Sequence, residues 1–164
     1  MNRKYTRKED MEVIHKVKAA RPGVALGSDI IVGFPGETRE QFQDTVSLYR
    51  EVDFDISYNA QYSPRSGTLG VKLYQDDVEK EEKAKRWTEL QNVMEEVALR
   101  KNQAFLGQEI SVLIDRVEAG FASGQSFEMK LSRVPSKDES LIGKIVKMMV
   151  KEARTWVLEG EIVI

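Results

Sequence analysis

The spacing of hydrophobic residues near the start of the chain predicts a helix followed by a strand. Thr6-Arg7-Lys8-Glu9 is a capping-box pattern, and the apolar positions after it recur at helical spacing to about Ala20. Arg21-Pro22-Gly23 then ends the predicted helix. From Val24 to Val32 the apolar positions alternate, which is typical of a strand.

The strand at Val24 to Val32 has two different faces and ends in a turn. Leu26, Ile30 and Val32 form an apolar face, whereas the opposite face carries small residues and a carboxylate, namely Gly27, Asp29, Ile31 and Gly33. The apolar run stops at a Gly-x-Pro-Gly turn, and Thr38 stands three residues before Gln41, so a capped helix is predicted to about Glu51. Glycines at such a junction let a ligand approach the backbone, and the helix start favours negative charge.

A second alternating segment runs from Phe54 to Tyr62, with the polar residues Ser57, Asn59, Gln61 and Ser63 on one face. Strand, helix and strand together predict a right-handed βαβ unit with parallel strands. Ligands of α/β folds gather at the carboxyl ends of the strands, which here are Gly33–Glu37 and Ser63–Thr68. The alternative is that these two segments are ordinary βα turns.

The second half of the chain has a different pattern. A long helix is predicted from Asp76 to about Leu106 and ends at Gly107; its charged run from Glu79 to Arg86 is most simply a solvated face. Short alternating segments follow, which favour a small β-barrel, at Gln108–Asp115, Phe127–Val134, Lys144–Glu152 and Trp156–Ile164.

Two parallel strands cannot close a sheet, so the first half is expected to be a fragment or to need a partner. The predicted fold is an α/β partial (β/α) barrel fragment, a long helix and a small antiparallel β-barrel. The corresponding predicted domains are residues 1–75, 76–106 and 107–164.

Composition excludes several kinds of function. No run approaches the roughly 18 apolar residues of a membrane span, and the polar start lacks a signal-peptide core, so we expect a cytoplasmic protein with no membrane contact. The 164 residues include no cysteine, which excludes disulfides and thiolate-bound zinc or iron–sulfur clusters within this sequence. The net charge of −2 gives no general attraction to nucleic acid, so any RNA contact needs a local patch.

Several motifs together, in this order, closely resemble the C-terminal half of the MiaB-type radical S-adenosylmethionine tRNA methylthiotransferases. They are Met1-Asn2-Arg3-Lys4-Tyr5-Thr6, Ser28 through Thr38, Phe54-Asp55, Tyr62 through Thr68, and Leu158-x-Gly160. The resemblance implies that the first 75 residues are the later part of the family's radical-SAM partial barrel. It implies that residues 107–164 are the family's TRAM β-barrel, an OB-like module associated with RNA binding.

The resemblance also implies a reaction. The family cleaves S-adenosylmethionine reductively at a [4Fe–4S] cluster and inserts a methylthio group at carbon 2 of N6-isopentenyl-adenosine beside the tRNA anticodon. The cysteines that bind the cluster lie upstream in that family, and this sequence has none. The chain alone is therefore expected to be inactive and to bind neither cofactor, and the N-terminal half of the enzyme becomes an expected partner. No catalytic or metal-binding residue is predicted within it.

Half of a cofactor site is implied by the same resemblance. Ile31-x-Gly33-x-x-x-Glu37 occupies the position of the family's S-adenosylmethionine strand, where an aliphatic side chain lies against adenine. Asp29, Ile31 and Gly33 are expected to share the face that lines the barrel with Ser57, Asn59 and Gln61. The predicted cofactor-binding residues are Asp29, Ile31, Gly33, Glu37, Asn59 and Arg65. For Asp29 and Arg65 the alternative is a structural salt bridge, and for Glu37 it is a favourable position before a helix.

RNA binding is predicted for the barrel, and it is expected to be weak. The family usually has Gly-Arg and then an asparagine before the central strand, whereas this chain has Gly124-Gln125-Ser126 in the matching run. Phosphate contacts dominate RNA affinity, and the segment from Gly107 on contains eight Lys/Arg against nine Asp/Glu. The candidates for contact with a tRNA anticodon stem-loop are Lys130, Arg133, Lys144, Lys147 and Arg154. The alternative is an ordinary barrel with scattered charges.

Two hypotheses from different classes follow. The chain is either the C-terminal part of a radical-SAM tRNA methylthiotransferase, inactive alone, or a non-enzymatic RNA-binding or interaction module built on the same scaffold.

Overall fold

A computed structural model describes residues 4–163 of the chain, which form two compact units, one up to Val97 and one from Ala98 onward. The Met1-Asn2-Arg3 part of the opening motif and the last residue of the predicted fourth barrel strand, Ile164, lie outside the described residues.

The first unit contains the predicted βαβ arrangement. Its elements are α1 (Arg7–Ala20), β1 (Gly27–Val32), α2 (Arg39–Val52), β2 (Ile56–Gln61), the short helix α3 (Leu69–Leu73) and the first part of α4 (Lys80–Gln103). Both predicted capping boxes are confirmed: Thr6 pairs reciprocally with Glu9, and Thr38 with Gln41. β1 and β2 are parallel, as predicted, and form a two-stranded sheet.

The core of the first unit covers only one face of this sheet. Val32 and Ile30 of β1 pack with apolar residues of α2 and α4, among them Phe42, Val46, Leu90 and Met94. Ser57 of β2 lies on the same covered face, where it is 4% exposed and its hydroxyl lies 3.1 Å from the sulfur of Met94. The opposite face of the sheet carries exposed side chains.

The alternation predicted for β2 is confirmed, but the prediction that Ser57 and Asn59 share a face with Asp29 and Ile31 was wrong. Asp29 is in register with Tyr58, and Ile31 with Ala60, so these four residues share one face. Ser57 and Asn59 point to the opposite face, against α4, where the indole N–H of Trp87 donates a 2.8 Å hydrogen bond to the carbonyl of Asn59. Helix α4 covers the more polar side of β2 because the Ser57 hydroxyl and the Asn59 amide find partners on the helix.

The second unit is a closed five-stranded barrel with the strand order β3-β4-β5-β7-β6. The strands are β3 (Glu109–Glu118), β4 (Phe121–Ser126), β5 (Leu131–Pro135), β6 (Ile145–Ala153) and β7 (Leu158–Ile162), with a 3₁₀ turn at Glu139–Leu141. Its core consists of inward-facing residues including Ile110, Val112, Ile114, Met148 and Leu158. The predicted small barrel is confirmed.

Two features of the barrel differ from the prediction. Strand β4 was not predicted, and the segment Phe127–Val134 is not one strand: Phe127 to Lys130 turn the chain, with Met129 at φ +58°, before β5 begins. The barrel is also not wholly antiparallel, because β5 and β7 run parallel.

The charged run from Glu79 to Arg86 is only partly a solvated face. Lys83 and Arg86 are buried, 6% and 5% exposed respectively, on the side of α4 that faces the sheet. Within residues 4–163, no helix is both long and apolar enough to cross a membrane.

Candidate functional site

The loop between β1 and α2, residues 33–38, is held in place by its own acidic side chain and by α4. The carboxylate oxygen Oε2 of Glu37 accepts hydrogen bonds from the backbone N–H of Gly33 at 2.7 Å and from Nη1 of Arg86 at 2.8 Å. Nη1 of Arg86 also donates to the carbonyl of Glu37 at 2.8 Å. Glu37 therefore closes the turn and links it to α4.

Arg86 remains charged although it is buried. Burial lowers its pKa, but hydrogen bonds to Glu82 and Glu37, together with the charges of these two carboxylates, outweigh it, so the pKa of Arg86 is raised above its ordinary value. The side chains of Arg86 and Glu37 are 6% and 14% exposed, which makes this a largely buried ion pair.

Lys83 occupies the space beside Gly33. A Cβ added to Gly33 would lie 2.4 Å from Cγ of Lys83, and Gly33 has φ +71°, a conformation that favours glycine. The ammonium of Lys83 lies 2.6 Å from both carboxylate oxygens of Asp76 and 5.3 Å from the ring centroid of Tyr62. Gly33 is thus buried, and the atoms that approach it belong to α4.

Asp29 and Ile31 lie on the open face of the sheet and border a cavity. Both are exposed, Ile31 by 38%. The cavity has a volume of about 530 Å³ and is also lined by Tyr5, Phe34, Glu37 and Tyr74. Within residues 4–163 the carboxylate of Asp29 has no hydrogen-bond or ion-pair partner, so the alternative of a structural salt bridge finds no support there. The structure brings three of the predicted cofactor residues, Asp29, Ile31 and Glu37, to one cavity.

Two other predicted cofactor residues are placed differently. Asn59 lies on the covered face of the sheet, where its amide nitrogen is 3.4 Å from Gln91 and 3.7 Å from the sulfur of Met94. Arg65 is exposed in the segment after β2, and its guanidinium has no ion pair among residues 4–163. Asn59 therefore does not join Asp29 on the open face, whereas Arg65 is accessible at the carboxyl end of β2.

An iron–sulfur cluster does not fit this chain. Such clusters are held mainly by cysteine thiolates, and the sequence has none. In the part of the chain that the structure describes, no group of three or more His, Cys, Asp or Glu side chains is close enough to hold a metal ion.

The predicted RNA-contacting residues of the barrel do not form a single cationic cluster. Arg133 and Arg154 meet at Glu159, whose Oε1 lies 2.7 Å from Nη2 of Arg133 and 3.0 Å from Nε of Arg154. Lys147 is 3.4 Å from Glu109, and Lys144 approaches Ser140 at 3.5 Å. Lys130 is buried, with 7% of its surface exposed.

No protein-family model matches the chain, but known proteins are similar to nearly all of it. The tRNA-2-methylthio-N(6)-dimethylallyladenosine synthase of Geobacillus kaustophilus is 43% identical over 99% of this chain, which corresponds to 31% of the relative. The synthases of the same name from Geobacillus thermodenitrificans and Bacillus cereus are each 44% identical over 99% of the chain, corresponding to 31% and 32% of their lengths.

The chain is homologous to the C-terminal portion of the MiaB-type tRNA methylthiotransferases. The resemblance seen in the motifs is thus confirmed across the whole sequence. The chain spans about a third of the length of these relatives, not the half that the motifs implied. The activity of the full-length relatives is therefore proposed for this chain and not assigned to it.

Sequence reasoning missed the two buried cations of α4, Lys83 and Arg86. Their spacing of three residues on one helix face was visible, but their partners Asp76 and Glu37 come from separate segments. A run of mixed charges on a helix gives no signal of such partners.

Proposed function

We propose that this chain is the C-terminal portion of an enzyme that adds a methylthio group to carbon 2 of N6-isopentenyl (dimethylallyl) adenosine, next to the anticodon of tRNA. The observation that carries the proposal is the identity of 43–44% with tRNA-2-methylthio-N(6)-dimethylallyladenosine synthases over 99% of the chain. At that identity, sustained over the whole length, the chain shares the fold of the matching portion.

The proposed domain assignment keeps the sequence boundaries. Residues 1–75 are the C-terminal part of a radical-SAM partial barrel, residues 76–106 the linking helix, and residues 107–164 a TRAM-like barrel. The one-sided sheet supports the first assignment: its open face, with Asp29, Ile31, Tyr58 and Ala60 in register, is what the inner face of an incomplete barrel would present.

The open face offers part of a site for S-adenosylmethionine. Asp29 and Ile31 are accessible beside a cavity of about 530 Å³, so a carboxylate and an aliphatic side chain are available to hydrogen-bond and pack against an adenosine group. Arg65 is the accessible cation at the end of β2. S-adenosylmethionine, when bound to a complete enzyme, supplies the methyl group and the radical chemistry.

The chain alone is proposed to be inactive. It has no cysteine to hold a cluster, and its cofactor face is open on one side. Calorimetric titration with S-adenosylmethionine is expected to give little or no heat. Micromolar affinity would contradict the proposed half-site and would mean that residues of this chain suffice for binding.

The alternative function is a non-enzymatic RNA-binding or interaction module. One observation favours it: the β1–α2 loop is held by Arg86, Lys83 and Asp77 of the chain itself, the Asp77 carboxylate accepting from Gly36 N–H at 2.7 Å. A loop held by the chain's own side chains needs no bound cofactor for its stability, and so it can serve as structural support alone.

The genomic reading frame upstream of Met1 separates these two functions. A continuous frame that encodes Cys-x-x-x-Cys-x-x-Cys supports the enzyme. A start codon preceded by unrelated sequence contradicts it and favours the module.

A further inference from the structure

The outer surface of the barrel carries a row of polar side chains across four neighbouring strands. Arg116 of β3 is in register with Ser123 of β4, Ser123 with Arg133 of β5, and Arg133 with Glu159 of β7. Because residues in register point to the same side of a sheet, the two arginines stand on either side of a small serine. The small side chain of Ser123 therefore leaves a shallow depression between the guanidinium groups of Arg116 and Arg133.

Two aromatic side chains border this row. Phe121 lies two residues before Ser123 on β4, and the guanidinium carbon of Arg133 lies 4.7 Å from the centre of its ring. Trp156, in the loop between β6 and β7, is 46% exposed. Together with Leu131 these residues line a cavity of about 370 Å³. We call the set Arg116, Phe121, Ser123, Arg133 and Trp156 the Trp156 surface.

The position of Arg116 on this surface depends on a β-bulge. The pairing of β3 with β4 shifts between Ile114 and Arg116, so Asp115 and Arg116 both face outward opposite one residue. Their ion pair is weak, because the side chains are 49% and 62% exposed. Arg116 is therefore free to exchange Asp115 for an anionic ligand at little cost.

The loop that carries Trp156 is anchored from two sides. The amide nitrogen of Asn102, at the end of α4, donates to the carbonyls of Arg154 at 2.8 Å and Thr155 at 3.1 Å. The backbone N–H of Arg154 donates to the carbonyl of Val157 at 2.9 Å and closes the turn. A half-exposed indole on a fixed turn loses little conformational entropy when a ligand stacks on it.

The chemistry of this surface matches an unpaired nucleotide. Exposed aromatic rings stack on bases whatever their sequence, and guanidinium groups both stack and contact phosphate. Small five-stranded OB-type barrels bind oligonucleotides on the face of their second and third strands and with the loop between the fourth and fifth. In this barrel those elements are β4, β5 and the β6–β7 loop, which carry Ser123, Arg133 and Trp156.

We propose that the Trp156 surface binds one unpaired base of an RNA strand, which stacks on the indole of Trp156 while Arg116 and Arg133 contact the same nucleotide. The inference rests on the RNA binding predicted for the barrel as part of the proposed tRNA-modifying enzyme, and it adds three residues to the predicted contacts, Arg116, Phe121 and Trp156. Selection among bases is expected to be slight, because stacking is tolerant of sequence.

The test is the affinity of the 164-residue chain for a fluorescein-labelled anticodon stem-loop RNA, measured by anisotropy at several salt concentrations. Trp156→Ala should weaken binding on the order of ten-fold. It should leave the slope of log affinity against log salt unchanged, because stacking releases no counterions. Arg116→Gln should weaken binding and also reduce the slope by about 0.7.

Trp156→Phe and Phe127→Ala are the controls. Trp156→Phe keeps an aromatic ring and should bind within about three-fold of the parent. Phe127 is an aromatic residue of the same barrel that is 71% exposed and lies outside the Trp156 surface, so Phe127→Ala should bind as the parent does. Stacking should also change the fluorescence emission of Trp156. This contribution is the difference between the RNA-induced emission changes of the parent and of Trp156→Phe.

The outcomes distinguish this inference from the function it rests on. If the chain binds the RNA and Trp156→Ala binds equally well, the inference is wrong and the RNA-binding role stands. If neither the parent nor any variant binds at low salt, both are wrong. Equal losses in Trp156→Ala and Phe127→Ala would also overturn the inference, because the effect would not be specific to this surface.

Discussion

Glu37 and Arg86, 49 residues apart in the sequence, form a largely buried ion pair with 2.8 Å between Oε2 and Nη1. The same carboxylate oxygen accepts the N–H of Gly33, so one acidic side chain joins the end of β1, the following turn and helix α4. The glutamate predicted as a cofactor ligand thus has one of its carboxylate oxygens, Oε2, engaged by the protein itself. Its role in the described residues is to shape the loop that borders Asp29 and Ile31.

Arg86→Ala should destabilise the first unit by roughly 2–4 kcal/mol, because it leaves the carboxylate of Glu37 buried without its charged partner. The free energy of unfolding in urea, followed by Trp87 fluorescence in a Trp156→Phe background, measures this. Arg50→Ala is the matched control: its ion pair with Glu96 spans 3.4 Å between side chains that are 56% and 70% exposed, so a loss below about 1 kcal/mol is expected. Equal losses of unfolding free energy in the two variants would show that the Glu37–Arg86 pair contributes no more than an exposed ion pair.

Gly33→Ala should be more destabilising than Gly36→Ala by more than about 1 kcal/mol. Both glycines have positive φ, +71° and +77°, so both variants carry the cost of that conformation. Only at Gly33 would the added methyl group meet another atom, Cγ of Lys83 at 2.4 Å, whereas nothing lies within 4 Å at Gly36. Urea unfolding of the two variants side by side gives the difference in the free energy of unfolding. Similar losses would contradict the close packing of Lys83 against Gly33.

The first unit should lose stability at acid pH through Glu82 and Glu89. A hydrogen bond with Arg86 lowers the pKa of Glu82 from its ordinary 4.5, and hydrogen bonds with Gln43 and Arg39 lower that of Glu89. The unfolded state therefore takes up protons first. The stabilisation from these two carboxylates is fully present above their pKa in the unfolded state, and it is lost as the pH falls through their lower pKa values in the folded state.

Glu89→Gln tests the acid prediction. It removes the titrating group, so the variant should be less stable than the parent at neutral pH and should lose less stability between pH 7 and about pH 3.5. Urea midpoints at the two pH values give both quantities. If parent and variant lose the same amount, Glu89 does not contribute to the pH dependence.

Glu159→Gln should strengthen RNA binding by the barrel. Its carboxylate engages Arg133 at 2.7 Å and Arg154 at 3.0 Å. Removing the charge releases the guanidinium of Arg133 for phosphate, whereas Arg154 keeps its ion pair with Glu152 at 2.8 Å. We expect severalfold higher affinity at low salt and a steeper salt dependence. Glu161→Gln is the control, since Glu161 is 71% exposed and pairs only with Lys151 among the described residues. An unchanged affinity for Glu159→Gln would mean that Arg133 does not reach RNA.

Local signals in the sequence predicted the first unit well. The capping boxes at Thr6 and Thr38 involve residues three positions apart, so their spacing is visible in the sequence. The parallel pairing of β1 and β2 followed from the length of the helix between them. The prediction of which face of β2 is covered was wrong, because alternation shows that two faces differ but not which one a distant helix covers. In the structure α4 covers the polar residues Ser57 and Asn59.

The unpredicted strand β4 shows a second limit. Its residues Ala122, Ser123 and Gly124 are small and resemble a turn in the sequence. In the barrel Gly124 is required by packing, since a Cβ there would lie 1.8 Å from the carbonyl oxygen of Leu113 on β3. A close approach between two strands leaves no periodic signal in either of them.

The proposed enzymatic role is tested most directly by mass spectrometry of tRNA nucleosides from a bacterium that lacks its own 2-methylthio transferase. Two genes are expressed in it: the complete genomic reading frame that contains this sequence, and the 164-residue chain alone. We expect the complete frame to restore 2-methylthio-N6-isopentenyl-adenosine and the chain alone to leave N6-isopentenyl-adenosine unmodified. A complete, stably expressed frame that fails to restore the methylthio group, or a chain that restores it alone, would contradict the account.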